Sequence, residues 1–155
     1  MDAATLFDRF RNAATGRDGE AFARLFTEDG VYHDVFYGAF IGRARIADMI
    51  NDVFHQTAED FRWDFHDPVG NAEIAYARYT FSYRSRLPEA GGRRACFEGV
   101  AIVRLRDGLI AEYREVANTG PAFVDLGFAP ERIAKILRRQ GDELKRRDEM
   151  AHHIV

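Results

Sequence analysis

Apolar positions recur at three- and four-residue intervals through most of residues 1–57, then at two-residue intervals as far as residue 117. Leu6, Phe7, Phe10 and Ala14 fall close to one helical face, so residues 4–14 are predicted to be a helix. The polar stretch TGRD at 15–18 interrupts it, and residues 19–26, carrying Phe22, Leu25 and Phe26, read as a second short helix. The run VYHDVFY at 31–37 alternates and is rich in valine and aromatics, which predicts a strand. Gly38 and Gly42 bracket another short extended piece. Residues 43–57 give the clearest helical pattern, with Ile46, Ile50, Val53 and Phe54 repeating at three and four.

The period then becomes two. Residues 61–66 (FRWDFH) alternate aromatic and polar, DPVGN at 67–71 turns, and residues 74–84 form a long strand. A loop at 87–92 leads into a strand over 94–105. Asp107-Gly108 is the best hairpin signal in the chain, and 109–117 returns from it. The stretch between Pro121 and Pro130 reads as irregular, and 131–139 as a late helix started after a proline. Helices first and long antiparallel strands afterwards predict an α+β fold, with helices on one face of a curved sheet that encloses a cone. One domain over 1–128 is expected, with 129–155 as a helical tail belonging to it or to a subunit contact.

Composition adds the rings: 13 Phe, 6 Tyr and one Trp can both fill a core and line a ligand cavity. A net charge of -3 supplies no field for a polyanion, and the basic residues of 132–147 are interleaved with acids. No nucleic-acid partner is expected. A single cysteine, Cys96, excludes an internal disulfide and a multi-cysteine metal site. His33, His55 and His66 are far apart, His152 and His153 sit in a charged tail, and there is no HExxH, GxGxxG, Walker A or GxSxG motif. Neither metal nor cofactor is expected. An acid at position 2 and the lack of any long apolar run argue against a secretory signal or a membrane span, so a cytoplasmic protein is expected.

On a strand over 31–36, Tyr32 and Asp34 share one face and His33 points to the other. A carboxylate among rings has its pKa raised by desolvation and becomes a better base toward a weakly acidic C–H; an aspartate facing solvent or capping a turn does neither. Tyr113 and Glu115 share one parity and Glu112 and Arg114 the other, and a surface ladder explains the EYRE run at 112–115 equally well. Tyr79, Phe81 and Tyr83 share a face, and tyrosine hydroxyls can donate to an oxyanion. Parity does not say which face is the cavity, because a bulge reverses it.

The helical pair ending in FARLFTEDG at 22–30, the VYHD strand at 31–34, FIGRARI at 40–46, and the closing segments VRLRDGLI at 103–110 and EYREVAN at 112–118 occur in a familiar order. Over residues 3–120 the chain resembles the SnoaL-like and ketosteroid-isomerase-like branch of the NTF2-like superfamily. The resemblance implies a cone-shaped, cystatin-like α+β barrel: a curved antiparallel sheet against three N-terminal helices, a deep apolar pocket and a homodimer. It also implies chemistry without a cofactor, as in isomerases, polyketide cyclases, dehydratases, epoxide hydrolases and lyases. In ketosteroid isomerases a strand aspartate is the general base, and Asp34 matches its position. Three departures stand out: the first helix has no tyrosine over 8–12, Asn118 replaces a closing aspartate, and Val35 replaces a proline.

The expectation is therefore an acid/base enzyme of lyase, dehydratase, cyclase or isomerase type, with Asp34 as base and Tyr32, His33 or Tyr83 as proton donors. Its substrate would be a hydrophobic, aromatic or polycyclic small molecule. Trp63, Phe65, Tyr79 and Phe97 would form the wall, with Glu115 and Asn118 orienting the polar end. A non-catalytic pocket protein or a dimeric interaction module is the alternative.

Overall fold

Asp2 caps the first helix, accepting the Thr5 N–H at 2.9 Å, and helix α1 (Ala3–Thr15) buries Leu6, Phe7, Phe10, Ala13 and Ala14 in one stripe. The structure, a computed structural model, describes residues 1–154. A short α2 (Gly19–Ala23) leads into β1 (Phe26–Asp34), and a tight turn reverses the chain into β2 (Gly38–Ile41). Helix α3 (Arg43–Asp48) continues into one wide π turn (Met49–Val53), closed by Phe54 N–H donating to the Met49 carbonyl at 2.8 Å. Four strands follow: β3 (Ala58–Gly70), β4 (Ile74–Ser85), β5 (Arg94–Arg106) and β6 (Leu109–Ala117).

All six strands form one curved, unclosed sheet in the order β2-β1-β6-β5-β4-β3. The predicted α+β class holds, with one change. The sheet is mixed rather than antiparallel, because β1 runs parallel to β6, with Tyr32 opposite Tyr113. Leu105 pairs with Ile110 across the two-residue turn of Asp107 and Gly108, both at positive φ, as the Asp-Gly signal requires. The predicted turn over 67–71 is instead a bulge inside β3: Asp67 has φ 52°, and the register against β4 shifts between His66 and Val69.

The inner face of the sheet and helices α1–α3 enclose one aromatic core with Phe10 near its centre, 4.9 Å from the Tyr113 ring and 5.4 Å from Trp63. The stretch after Pro121, expected to be irregular, contains α4 (Gly120–Asp125), since a proline at the start of a helix removes only an N–H that would lack a partner anyway. Helix α5 (Pro130–Lys145) follows and buries none of its residues. Among the described residues no helix is long and apolar enough to cross a membrane.

Candidate active site

The inner face of β1 carries Tyr32 and Asp34, and that of β6 carries Tyr113 and Glu115. Parallel pairing sets these two pairs side by side on the inner face of the sheet. They border a cavity with about 60 Å³ of free space. Its walls are chiefly aromatic: Phe36, Phe54, Phe61, Trp63, Phe81 and Phe97. Tyr32, Tyr79, Tyr83, Asp34 and Glu115 supply the polar lining, with Tyr37 and Thr57 beside them.

Asp34 ends β1, and its Oδ1 accepts the backbone N–H groups of Phe36 at 2.8 Å and Tyr37 at 2.9 Å. Its Oδ2 has no hydrogen-bond partner among the described residues. Burial pushes its carboxyl above the usual carboxylate range, and the two amide bonds pull it part of the way back. Glu115 lies deeper. Its Oε2 accepts the Tyr79 hydroxyl at 2.6 Å and the Tyr113 hydroxyl at 3.3 Å. Burial raises its pKa to about 8; the tyrosine bonds oppose that rise and the charge of Asp34 adds to it.

The Tyr79 bond depends on Gly99, which faces Tyr79 in the β4–β5 register. A Cβ at position 99 would stand 2.6 Å from the Tyr79 hydroxyl and 2.6 Å from the Val116 carbonyl. The missing side chain lets the tyrosine cross β5 and reach the carboxyl on β6. Tyr32 is only 2% exposed, its ring stacks on Tyr113 at 4.7 Å, and its hydroxyl has no partner among the described residues. Burial raises the Tyr83 hydroxyl to about 12, with Tyr37 and Asp34 adding to the shift.

Seven of the ten residues singled out in the sequence line the cavity: Tyr32, Asp34, Trp63, Tyr79, Tyr83, Phe97 and Glu115. The other three do not. His33 lies on the outer face of β1, where alternation turns it away, and its Nε2 meets Glu112 Oε1 at 3.0 Å. Phe65 shares Trp63's face but sits further toward α1, packed on Phe7 at 4.7 Å. Asn118 follows the end of β6, is exposed, and lines a separate, more open cleft of about 460 Å³ with Glu98 and Cys96.

Phe36, Tyr37, Phe54, Phe61, Phe81 and Thr57 line the cavity without having been singled out. Phe61 and Phe81 share the parity of Trp63 and Tyr79 and were open to the same reasoning. Phe54 was read as a core residue of a regular helix, a pattern that cannot register the wide turn before it. Among the described residues no three His, Cys, Asp or Glu side chains gather as a metal-binding group.

Residues 7–113 match the family model of the SnoaL-like domain. No curated protein sequence matches the chain. Among solved structures it is similar to TsrD from Streptomyces laurentii, at 22% identity and a TM-score of 0.67, over 80% of this chain and 93% of that one. A Catenulispora acidiphila protein with a ketosteroid isomerase-like fold, in complex with trimethylamine, is 16% identical with a TM-score of 0.71, over 81% and 95%. An LEH-like epoxide hydrolase of M. tuberculosis is 19% identical with a TM-score of 0.65, over 80% and 88%. At these identities the likeness is one of fold.

Proposed function

The chain belongs to the SnoaL-like domain family, and from that premise we propose that it is a cofactor-independent acid/base enzyme acting on a hydrophobic small molecule. One observation carries the reading: a single aromatic cavity holds two buried carboxyl groups in unlike settings. Environments that separate two titratable groups assign them as base and acid. Asp34, with two amide donors on Oδ1, is the group that ionises first, and its unengaged Oδ2 takes a proton from a substrate C–H. Glu115, at about 8, is protonated at neutral pH. Its two tyrosines occupy Oε2, so the proton resides on Oε1, ready for a leaving hydroxyl or a developing oxyanion.

The C–H bond breaks toward Asp34 as an O–H bond forms from Glu115. Loss of water, isomerisation and cyclisation can each begin with that pair of transfers, so the reading is of lyase, isomerase or cyclase chemistry. The ring-lined walls favour a flat, aromatic substrate. The fold shared with an epoxide hydrolase supports small-molecule conversion as the kind of task.

Small molecules extracted with the protein and identified by mass spectrometry give the substrate for the test. Asp34→Asn is expected to lower kcat by about 10²–10⁴-fold, the range for a lost general base, with the fold intact by circular dichroism. Full turnover by Asp34→Asn would overturn the assignment.

A further inference from the structure

The cavity's free space of about 60 Å³ is too small for a ring, since a dry cavity that takes up benzene measures about 150 Å³. A ring-sized ligand must therefore move part of the wall. Most of it is interlocked. Phe54 stacks on Phe61 at 4.3 Å, Trp63 meets Phe81 edge-on at 5.0 Å, and Tyr79 is tied to Glu115 at 2.6 Å. Residues 35–37 are held differently. They form the turn between β1 and β2, where pairing resumes at Asp34 opposite Gly38, and all three line the cavity.

Tyr37 is 53% exposed, and its hydroxyl reaches Thr57 Oγ1 at 3.3 Å. Among the described residues this is the only hydrogen bond from the turn to the opposite rim. On the inner side, Phe36 rests edge-on against Phe97 at 5.9 Å and Phe123 at 6.0 Å, and the amides of Phe36 and Tyr37 hold Asp34 Oδ1. The turn that closes the mouth is thus also the turn that holds the carboxylate.

We propose that residues 35–37 are the lid of this cavity, latched by Tyr37 and Thr57, and that these two are positioning residues for Asp34, whose orientation and dryness are set by lid closure. This rests on Asp34 being the base. With the lid down, the two amides fix Oδ1 and leave Oδ2 facing inward. With it up, the amides depart with the turn and water reaches the carboxylate. The sign of the effect follows from the larger influence. Burial, which raises the Asp34 pKa, outweighs the amide bonds, which lower it, so opening moves the group down toward an ordinary carboxylate and closing moves it up. Closure over a substrate therefore strengthens the base. The titratable groups around Asp34 are Tyr32, Tyr37, Tyr79, Tyr83 and Glu115, and burial raises Tyr32, Tyr79, Tyr83 and Glu115 above their ordinary values.

Two readouts test this without any substrate. Trp63, the sole tryptophan, lines the cavity, so quenching of its fluorescence by acrylamide reports access. Carbon-13 NMR of the Asp34 carboxyl reports its titration. Tyr37→Phe and Thr57→Val each remove the latch, and each is expected to raise the open population about fivefold, the factor for one net hydrogen bond. Quenching should rise accordingly, and the Asp34 titration should move to lower pH. Thr57→Ser keeps the hydroxyl and should retain both wild-type values. Wild-type quenching and an unmoved Asp34 titration in Tyr37→Phe would overturn the proposal. That variant decides alone if Thr57→Val fails to fold, because Tyr37 is half exposed. Turnover does not enter either readout, so an active Asp34→Asn variant would count against the base and not against the lid.

Discussion

Glu112 and Glu115 stand on the same strand, three residues apart, and their surroundings drive them in opposite directions. Glu115 points into the cavity, and burial among rings lifts its pKa to about 8. Glu112 points outward. Partial burial pushes it up, but the Arg114 guanidinium at 2.6 Å and the His33 ring at 3.0 Å more than offset that, and it ends below the usual carboxylate range. His33 responds in kind: burial and the charge of Arg114 lower its pKa despite Glu112 beside it. Each outer group has a partner and water nearby, whereas the inner carboxyls have rings, hydroxyls and each other. The strand's alternation is what turns similar residues into a surface ion pair on one side and chemistry on the other.

The largest test of this contrast is the pH dependence of stability. Glu115 has a folded pKa above its unfolded value, so folding favours its protonated form. Its contribution is fully present below about pH 4.5 and is lost as pH rises through about 8. Unfolding free energy from urea titrations should fall by up to about 1.4 kcal/mol per pH unit within that window, and Glu115→Gln should flatten the slope. An unchanged slope in Glu115→Gln would place the titrating group elsewhere. Next in size, Tyr79→Phe removes the 2.6 Å bond to Glu115 and should cost about 1–2 kcal/mol in denaturant melts, while raising the Glu115 pKa further. Smallest, His33→Ala breaks a half-buried outer-face pair and should change stability by about 1 kcal/mol or less with kcat unaltered. A large loss of kcat in His33→Ala would contradict its place on the outer face.

Much of this was legible in the chain. Alternation separated Tyr32 and Asp34 from His33, and Tyr113 and Glu115 from Glu112, and the structure keeps both partitions. What alternation could not supply was the identity of the inner face, so His33 remained a candidate until the sheet was seen to curve away from it. Asn118 was chosen with Glu115 for its place near the end of the last strand, but it lies past the end of β6 and only Glu115 reaches the cavity. Gly99 did leave a trace, since a glycine inside a strand marks a close approach. Its partner, the Tyr79 hydroxyl, belongs to another strand and needed the register. The mouth was hidden for a similar reason: Tyr37 and Thr57 are 20 residues apart and meet only once the hairpin and the end of the third helix are both in place.

The parallel pairing of β1 with β6 also governs when the site comes into being. Val31 lies opposite Glu112, so the pairing of the first strand with the last joins two parts of the chain that form separately. The hairpins β1–β2, β3–β4, β4–β5 and β5–β6 join neighbours in the chain and can form locally, whereas Val31 and Glu112 are 81 residues apart, so the β1–β6 contact has the largest loop to close. A folding intermediate with a finished meander would therefore possess Glu115 and its tyrosines without Asp34. A one-residue slip in that final docking would turn Asp34 outward and bring His33 in. The two carboxyls of the site thus come together only through the β1–β6 pairing.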